Sequence, residues 1–283
     1  QIVIARASAE RIYEILEEKP DIVSPENAVN EVIDGSIDFN NVSFSYQENA
    51  LNKTLSEIEL HIKSGETVGI IGATGSGKST LVQLIPRLYD VTGGSIKVGG
   101  VDVRDYEIEV LRKSVAMVLQ KNVLFSGTIR DNLLWGNENA TEEELEEALK
   151  ISRADEFVYR IGNLDTMLDQ GGSNVSGGQK QRLCIARAVI GKPKILILDD
   201  STSAVDVKTD AEIRKAFKDY IPGTTKIIIA QRISSVMDAD KIVVMDGGRI
   251  DAVGTHEELL GKNEIYTDVY RSQESEGGDF DAA

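Results

Sequence analysis

The stretch that decides the fold is Gly72-Ala73-Thr74-Gly75-Ser76-Gly77-Lys78-Ser79-Thr80. An apolar run, 67–71, precedes it and a helical run, 81–88, follows. This is strand, glycine loop, helix, the context in which G-x-x-x-x-G-K-[ST] binds phosphate. Glycines allow backbone N–H groups to turn inward around phosphate oxygens, and the helix N-terminus adds its positive end. Lys78 supplies a cation for the β- and γ-phosphates, and the Ser79 hydroxyl suits Mg²⁺.

A loop of this kind needs a carboxylate at the end of a second buried strand. Lys194-Ile195-Leu196-Ile197-Leu198-Asp199-Asp200 offers four apolar residues and then two acids. Mg²⁺ takes oxygen ligands and keeps waters, so Asp199 can hold it directly or through water.

Working outward, apolar runs at 37–46, 58–62, 67–71 and 95–98 read as early strands separated by turns. Runs at 115–119, 195–198, 226–230, 241–245 and 249–253 alternate with helical segments. The pattern predicts an α/β protein: a parallel αβα core, an antiparallel β subdomain near the N-terminus and a mostly helical stretch over 124–191. Thr141-Glu142-Glu143-Glu144 opens one helix there as a capping box. Residues 8–18 form a short amphipathic helix, either a surface helix or the tail of a preceding domain joined by a linker over 19–35. From Ser272 to 283 the chain is Gly, Ser and acid without periodicity, and disorder is expected.

Composition narrows the function. The 283 residues carry 31 Lys+Arg against 47 Asp+Glu, a net charge of −16, which disfavours nucleic acid and anionic lipid. One cysteine, Cys184, excludes an internal disulfide framework and fits a reducing compartment. No apolar run approaches the roughly 18 residues of a membrane span. The start at Gln1 reads as a cut from something longer.

Between the two phosphate-site elements lies Asn174-Val175-Ser176-Gly177-Gly178-Gln179-Lys180-Gln181-Arg182, a second small-residue loop at a helix N-terminus. Two phosphate-facing loops in one chain suit a nucleotide sandwiched between two molecules. With these motifs in this order, the stretch from about 5 to 270 resembles the nucleotide-binding domain of an ABC exporter. The resemblance implies a P-loop NTPase of ABC type over 36–271, with ATP and Mg²⁺. Residues 1–18 would then end a transmembrane helix, 19–35 would be a linker, and the assembly would sit on the cytoplasmic face of the inner membrane.

The same resemblance assigns residues. Gly72, Thr74, Gly75, Ser76, Gly77, Lys78, Ser79 and Thr80 would hold the phosphates, and Ser79, Gln120 and Asp199 the Mg²⁺. Gln120 is similar to the glutamine that also reaches the attacking water. Tyr46 resembles the residue that stacks on adenine, a reading the resemblance favours over the alternative in which Phe39, Phe44 and Tyr46 merely pack a strand face. Val175, Ser176, Gly177, Gly178, Gln179 and Asp206 would act on the partner's nucleotide. Residues 121–132 resemble the surface that receives the membrane domain.

Two departures stand out. Where the family carries a catalytic glutamate this chain has Asp200, one methylene shorter, and where it carries a switch histidine this chain has Gln231. A misplacement of about 1 Å can cost about 100-fold in rate. An amide can donate to the γ-phosphate but cannot become cationic. The only histidines, His61 and His256, lie elsewhere and read as structural or exposed. The expectation is one half of a heterodimeric exporter, with an ATPase site of its own that is degenerate and slow, paired with a non-identical half-transporter. The alternative is a hydrolytically active subunit of a homodimeric exporter. A soluble ATP-driven DNA clamp is disfavoured, because Lys78 and Ser176 lie only 98 positions apart with no heptad run between them.

Overall fold

The computed structural model describes residues 2–47, 53–200 and 205–277. In chain order, α1 (Ile2–Glu17) leads to β1 (Ile37–Phe44), β2 (Leu55–Ile62), β3 (Thr67–Gly72) and α2 (Lys78–Gln83). Then come β4 (Gly93–Val98), β5 (Val101–Asp102), α3 (Ile108–Ser114), β6 (Val115–Val118), β7 (Gly127–Thr128) and α4 (Ile129–Leu134). Next are α5 (Glu142–Ile151), α6 (Asp155–Ile161), β8 (Met167–Leu168) and α7 (Gly177–Val189). The chain continues through β9 (Ile195–Asp199), α8 (Val207–Tyr220), β10 (Thr225–Ile229), β11 (Lys241–Asp246) and β12 (Arg249–Gly254). It closes with α9 (His256–Leu259) and α10 (Glu264–Gly277).

The strands form two large sheets. One is antiparallel, in the order β2-β1-β4-β5. The other runs β12-β11-β3-β10-β9-β6, parallel except for the β11–β12 hairpin. The central strands β9 and β10 are buried throughout, as strands covered on both faces must be, and so they read as unbroken apolar runs. Their alternation splits the interior in two. Leu196, Leu198 and Ile228 face the helices α4–α7, whereas Ile195, Ile197, Ile227 and Ile229 face α2, α3 and the antiparallel sheet. The αβα core with β and helical subdomains is the architecture expected from the sequence.

Four elements differ from the sequence expectation. Helix α2 stops at Gln83 instead of running to 88. Pro86 lacks the N–H that would bond Val82 and disfavours helix at Ile85, so the chain turns through Ile85–Val82 and Arg87–Leu84 bonds. Helix α1 begins at Ile2, earlier than expected, with Ile12, Ile15 and Leu16 exposed. The 19–35 segment lies against the domain. Val29 exchanges backbone bonds with Asp105 and Glu107, Ser24 bonds Glu107, and Val32 is buried. Finally, the irregular tail expected from Ser272 is helical as far as Gly277. Tyr270 donates to Glu274 one turn on, and Gln273 bonds the core, which gives this polar stretch contacts that composition does not reveal. Residues 278–283 lie outside the described residues. Among the described residues no helix is long and apolar enough to cross a membrane.

Candidate nucleotide-binding site

In the parallel sheet β3, β10, β9 and β6 are consecutive neighbours, so the segments leaving their carboxyl ends stand side by side. This is where open α/β sheets bind ligands. The four segments carry the phosphate loop, Gln231, Asp199–Asp200 and Gln120 respectively.

The loop geometry explains its residues. A Cβ on Gly72 would lie 2.2 Å from the carbonyl oxygen of Met245 on β11, so only glycine lets the chain leave the sheet here. Gly75, at φ +84° with open space on its Cβ side, supplies a left-handed turn toward solvent. Lys78 opens α2 and folds back, its Nζ donating to the carbonyls of Gly72 at 2.7 Å and Ala73 at 2.8 Å. Burial depresses the Lys78 pKa, opposed by the charges of Asp199 and Asp200. The cation is thus held at the mouth of the loop by two carbonyls, poised for stronger acceptors.

Ser79 Oγ donates to Asp199 Oδ1 at 3.1 Å. Burial pushes the Asp199 pKa up, while the Ser79 bond pulls it down. Ser79 and Asp199 meet here, Gln120 reaches the neighbouring Asp200, and all three offer the oxygen donors that Mg²⁺ takes. Among the described residues no group of three or more His, Cys, Asp or Glu is placed to hold a metal. His61 pairs with Asp38 on the exposed side of β2, and His256 bonds Tyr266 at 2.8 Å, so neither belongs to this site.

Asp200 is the centre of the arrangement. Its Oδ2 accepts from Gln120 Nε2 at 2.8 Å and from Gln231 Nε2 at 2.6 Å. Its own N–H bonds the Ile229 carbonyl at the end of β10, and its backbone sits at φ +47°, a conformation unusual for a non-glycine residue. Sequence reading singled out all three side chains but could not show that one carboxylate oxygen joins the two amides. It missed Gln273 altogether. That side chain donates to the Gln231 carbonyl at 2.7 Å and accepts from the Ile233 N–H at 2.9 Å.

Tyr46 follows β1 and is about half exposed, whereas Phe39 and Phe44 are buried. It meets Phe44 and Tyr89 edge-on, at 4.8 and 5.1 Å between centroids, and its hydroxyl shares a 3.1 Å bond with Thr80 on α2. Phe39 and Phe44 thus pack the buried strand face, and Tyr46 sits beyond its end, packed on Phe44 and tied to the phosphate helix through Thr80.

The second loop is built differently. Ser176 caps α7: its hydroxyl accepts from Gln179 N–H, and Gln179 Oε1 accepts from Ser176 N–H at 2.9 Å. Gly177 and Gly178 form the first turn beside it, and Val175 packs on the helical core. Among the described residues no hydrogen bond joins this turn to the phosphate loop. Asp206 caps α8 through the N–H and hydroxyl of Thr209. In the 121–132 stretch, buried Asn132 ties Phe125 and Thr128 with three bonds. Exposed Phe125 stacks on exposed Trp135 at 4.6 Å and, with Leu119 and Val123, borders a cleft of about 360 Å³.

Comparison with known proteins agrees with this geometry. The family profile for ABC transporters matches residues 55–203. The uncharacterized ABC transporter ATP-binding protein YfiB of Bacillus subtilis (strain 168) is 44% identical over 270 residues, covering 95% of this chain and 46% of that protein. The ATP-dependent lipid A-core flippase of Desulfotalea psychrophila is 42% identical over 269 residues, covering 94% and 46%. A solved bacterial Atm1-family ABC exporter with ATP bound superimposes with a TM-score of 0.90 at 31% identity, covering 96% of this chain and 48% of that one. The chain spans about half the length of the relatives it matches. A phosphate loop, a strand-ending acid pair and a capped Ser-Gly-Gly-Gln turn on one ABC-type fold, together with the profile match, place the chain in the ABC transporter family, as its ATP-binding domain.

Proposed function

We propose that this chain is the ATP-binding domain of one half of a heterodimeric ABC exporter, and that its own phosphate loop holds ATP while turning it over slowly. In this reading Tyr46 stacks on adenine, the loop 72–80 wraps the phosphates, and Lys78 exchanges its two carbonyls for phosphate oxygens. Mg²⁺ held by Ser79, Asp199 and Gln120 would neutralise charge on the β- and γ-phosphates. The Ser176–Gln179 turn and Asp206 would face the nucleotide of a non-identical partner, so that ATP bridges two surfaces that otherwise separate. The cleft beside Phe125 and Trp135 would receive the membrane domain, with the assembly on the cytoplasmic face of a membrane. The solved ABC exporter among the similar proteins supports this direction of transport.

The observation that carries the slow-site reading is the Asp200 carboxylate, one methylene short and accepting two amide hydrogen bonds at one oxygen. A base must reach the proton that it abstracts, and here one of the two carboxylate oxygens already accepts from two amides. The Gln231 amide has no protonation change in the working pH range, so it adds no cation to the developing phosphoryl charge.

The test loads the protein with Mg-ATP and follows bound nucleotide and released phosphate in one sample. ATP that persists with almost no phosphate is the expected result. Prompt phosphate release would show that Asp200 and Gln231 suffice, and the active homodimer would replace this reading.

A further inference from the structure

The switch segment 231–233 leaves the sheet after β10, so its backbone groups lose their ladder partners. Gln273 takes their place. Its carbonyl oxygen accepts from the Ile233 N–H at 2.9 Å and its amide nitrogen donates to the Gln231 carbonyl at 2.7 Å. In an extended segment the C=O of one residue and the N–H two residues on point to the same side. A primary amide matches that pair with one acceptor and one donor. The Gln231 side chain then reaches Asp200 at 2.6 Å. One chain of contacts therefore runs from α10 through the switch backbone to the carboxylate at the ATP site.

The strut is firmly based. Tyr266 is fully buried and its hydroxyl meets His256 at 2.8 Å, while Tyr270 packs at the core edge with its ring 5.4 Å from His256. Tyr266, Tyr270 and Gln273 are spaced four and three apart, which places them along one face of α10. That face delivers the amide to the switch backbone.

We propose that Gln273 is a positioning residue: it clamps the Gln231–Ile233 backbone so that the Gln231 amide is held at the ATP site, and it makes the C-terminal helix part of the γ-phosphate sensor. The clamp itself stands on the contacts above, and its effect on nucleotide rests on the reading of Gln231 as a γ-phosphate contact.

The test uses the full chain with Gln273→Ala and Gln273→Met, the latter keeping the packed stem. Gln231→Ala and the double variant complete a cycle. Amide exchange is read at 231–233 and in β10, and affinity is measured for ATP and for ADP. The clamp predicts faster exchange at Ile233 with β10 unchanged, and an ATP-over-ADP preference about two- to tenfold lower, the scale of one or two lost neutral hydrogen bonds. Gln273→Ala adds nothing to that preference once Gln231 is Ala, because coupled residues are not additive. Unchanged exchange at Ile233 overturns the clamp. Faster exchange with an unchanged preference, in a protein where Gln231→Ala lowers it, overturns the positioning role. If Gln231→Ala itself leaves the preference unchanged, the γ-phosphate reading of Gln231 fails, and the exchange result still decides the clamp.

Discussion

At the scale of single residues, Asp200 concentrates the chemistry. Its side chain ends one bond short of where a glutamate would end, and one of its oxygens accepts from two amides at once. Lengthening it by one methylene extends the reach of the carboxylate, and replacing Gln231 with histidine restores a group that can carry charge. The pair Asp200→Glu with Gln231→His is expected to raise single-site phosphate release by about 100-fold, the scale of a 1 Å correction in position. Asp200→Glu alone should recover only part of it. Phosphate release per bound ATP, at equal nucleotide occupancy, is the measurement. Rates unchanged in both variants would mean that the slow step lies elsewhere. The candidate residues of this site were each legible from the sequence, because phosphate loops and strand-ending acids have fixed local patterns. Their mutual contacts were not. Gln120, Asp200 and Gln231 stand up to 111 positions apart, and only the side-by-side order of β6, β9 and β10 brings them together. Gln273 carries no motif, since its partners are backbone groups, which any sequence possesses.

At the scale of elements, buried parallel strands were readable because burial on both faces leaves a continuous apolar run. Helix ends were less so. Pro86 truncates α2, and the polar end of α10 is helical because of the contacts that Gln273 and Tyr270 make. The capped start of α7 shows how one element can serve stability and binding together. Ser176 uses its hydroxyl oxygen as an acceptor for Gln179 N–H, which leaves the hydroxyl proton free to donate to an anion. Ser176→Ala should therefore lose both, with a stability cost of about 1 kcal/mol. Ser176→Asp separates them: it keeps the cap but sets a negative charge where a partner's phosphate is expected. Chemical denaturation should show Ser176→Asp near the parent stability, and sedimentation should show the proposed ATP-dependent pairing in the parent and not in Ser176→Asp. Pairing that survives in Ser176→Asp would remove this turn from the nucleotide interface.

At the scale of the whole molecule, α10 closes the helical side of the core, and its anchor titrates. Tyr266 is fully buried against that core, with its hydroxyl on His256 Nδ1. Burial, with a smaller contribution from Tyr270, raises its pKa from 10.0 to about 12. The folded state thus keeps this proton where the unfolded chain gives it up. The stability supplied by the neutral phenol is fully present below pH 10 and drains away as pH rises toward 12. Tyr106 is shifted in the same direction by burial, with its hydroxyl bonded to the Val98 carbonyl at 2.7 Å, so a second phenol acts in that range. Tyr266→Phe should lower stability at neutral pH by about 1 kcal/mol through the lost hydrogen bond. It should also flatten, without abolishing, the alkaline fall. Urea unfolding measured from pH 8 to 12 for both proteins checks this, since the difference between the curves isolates Tyr266 from every other titrating group. The curves should draw together and then cross as pH passes from 10 to 12, because a shift of this size outweighs one hydrogen bond, and curves that remain parallel would mean that Tyr266 ionises in the folded state as readily as in the unfolded chain.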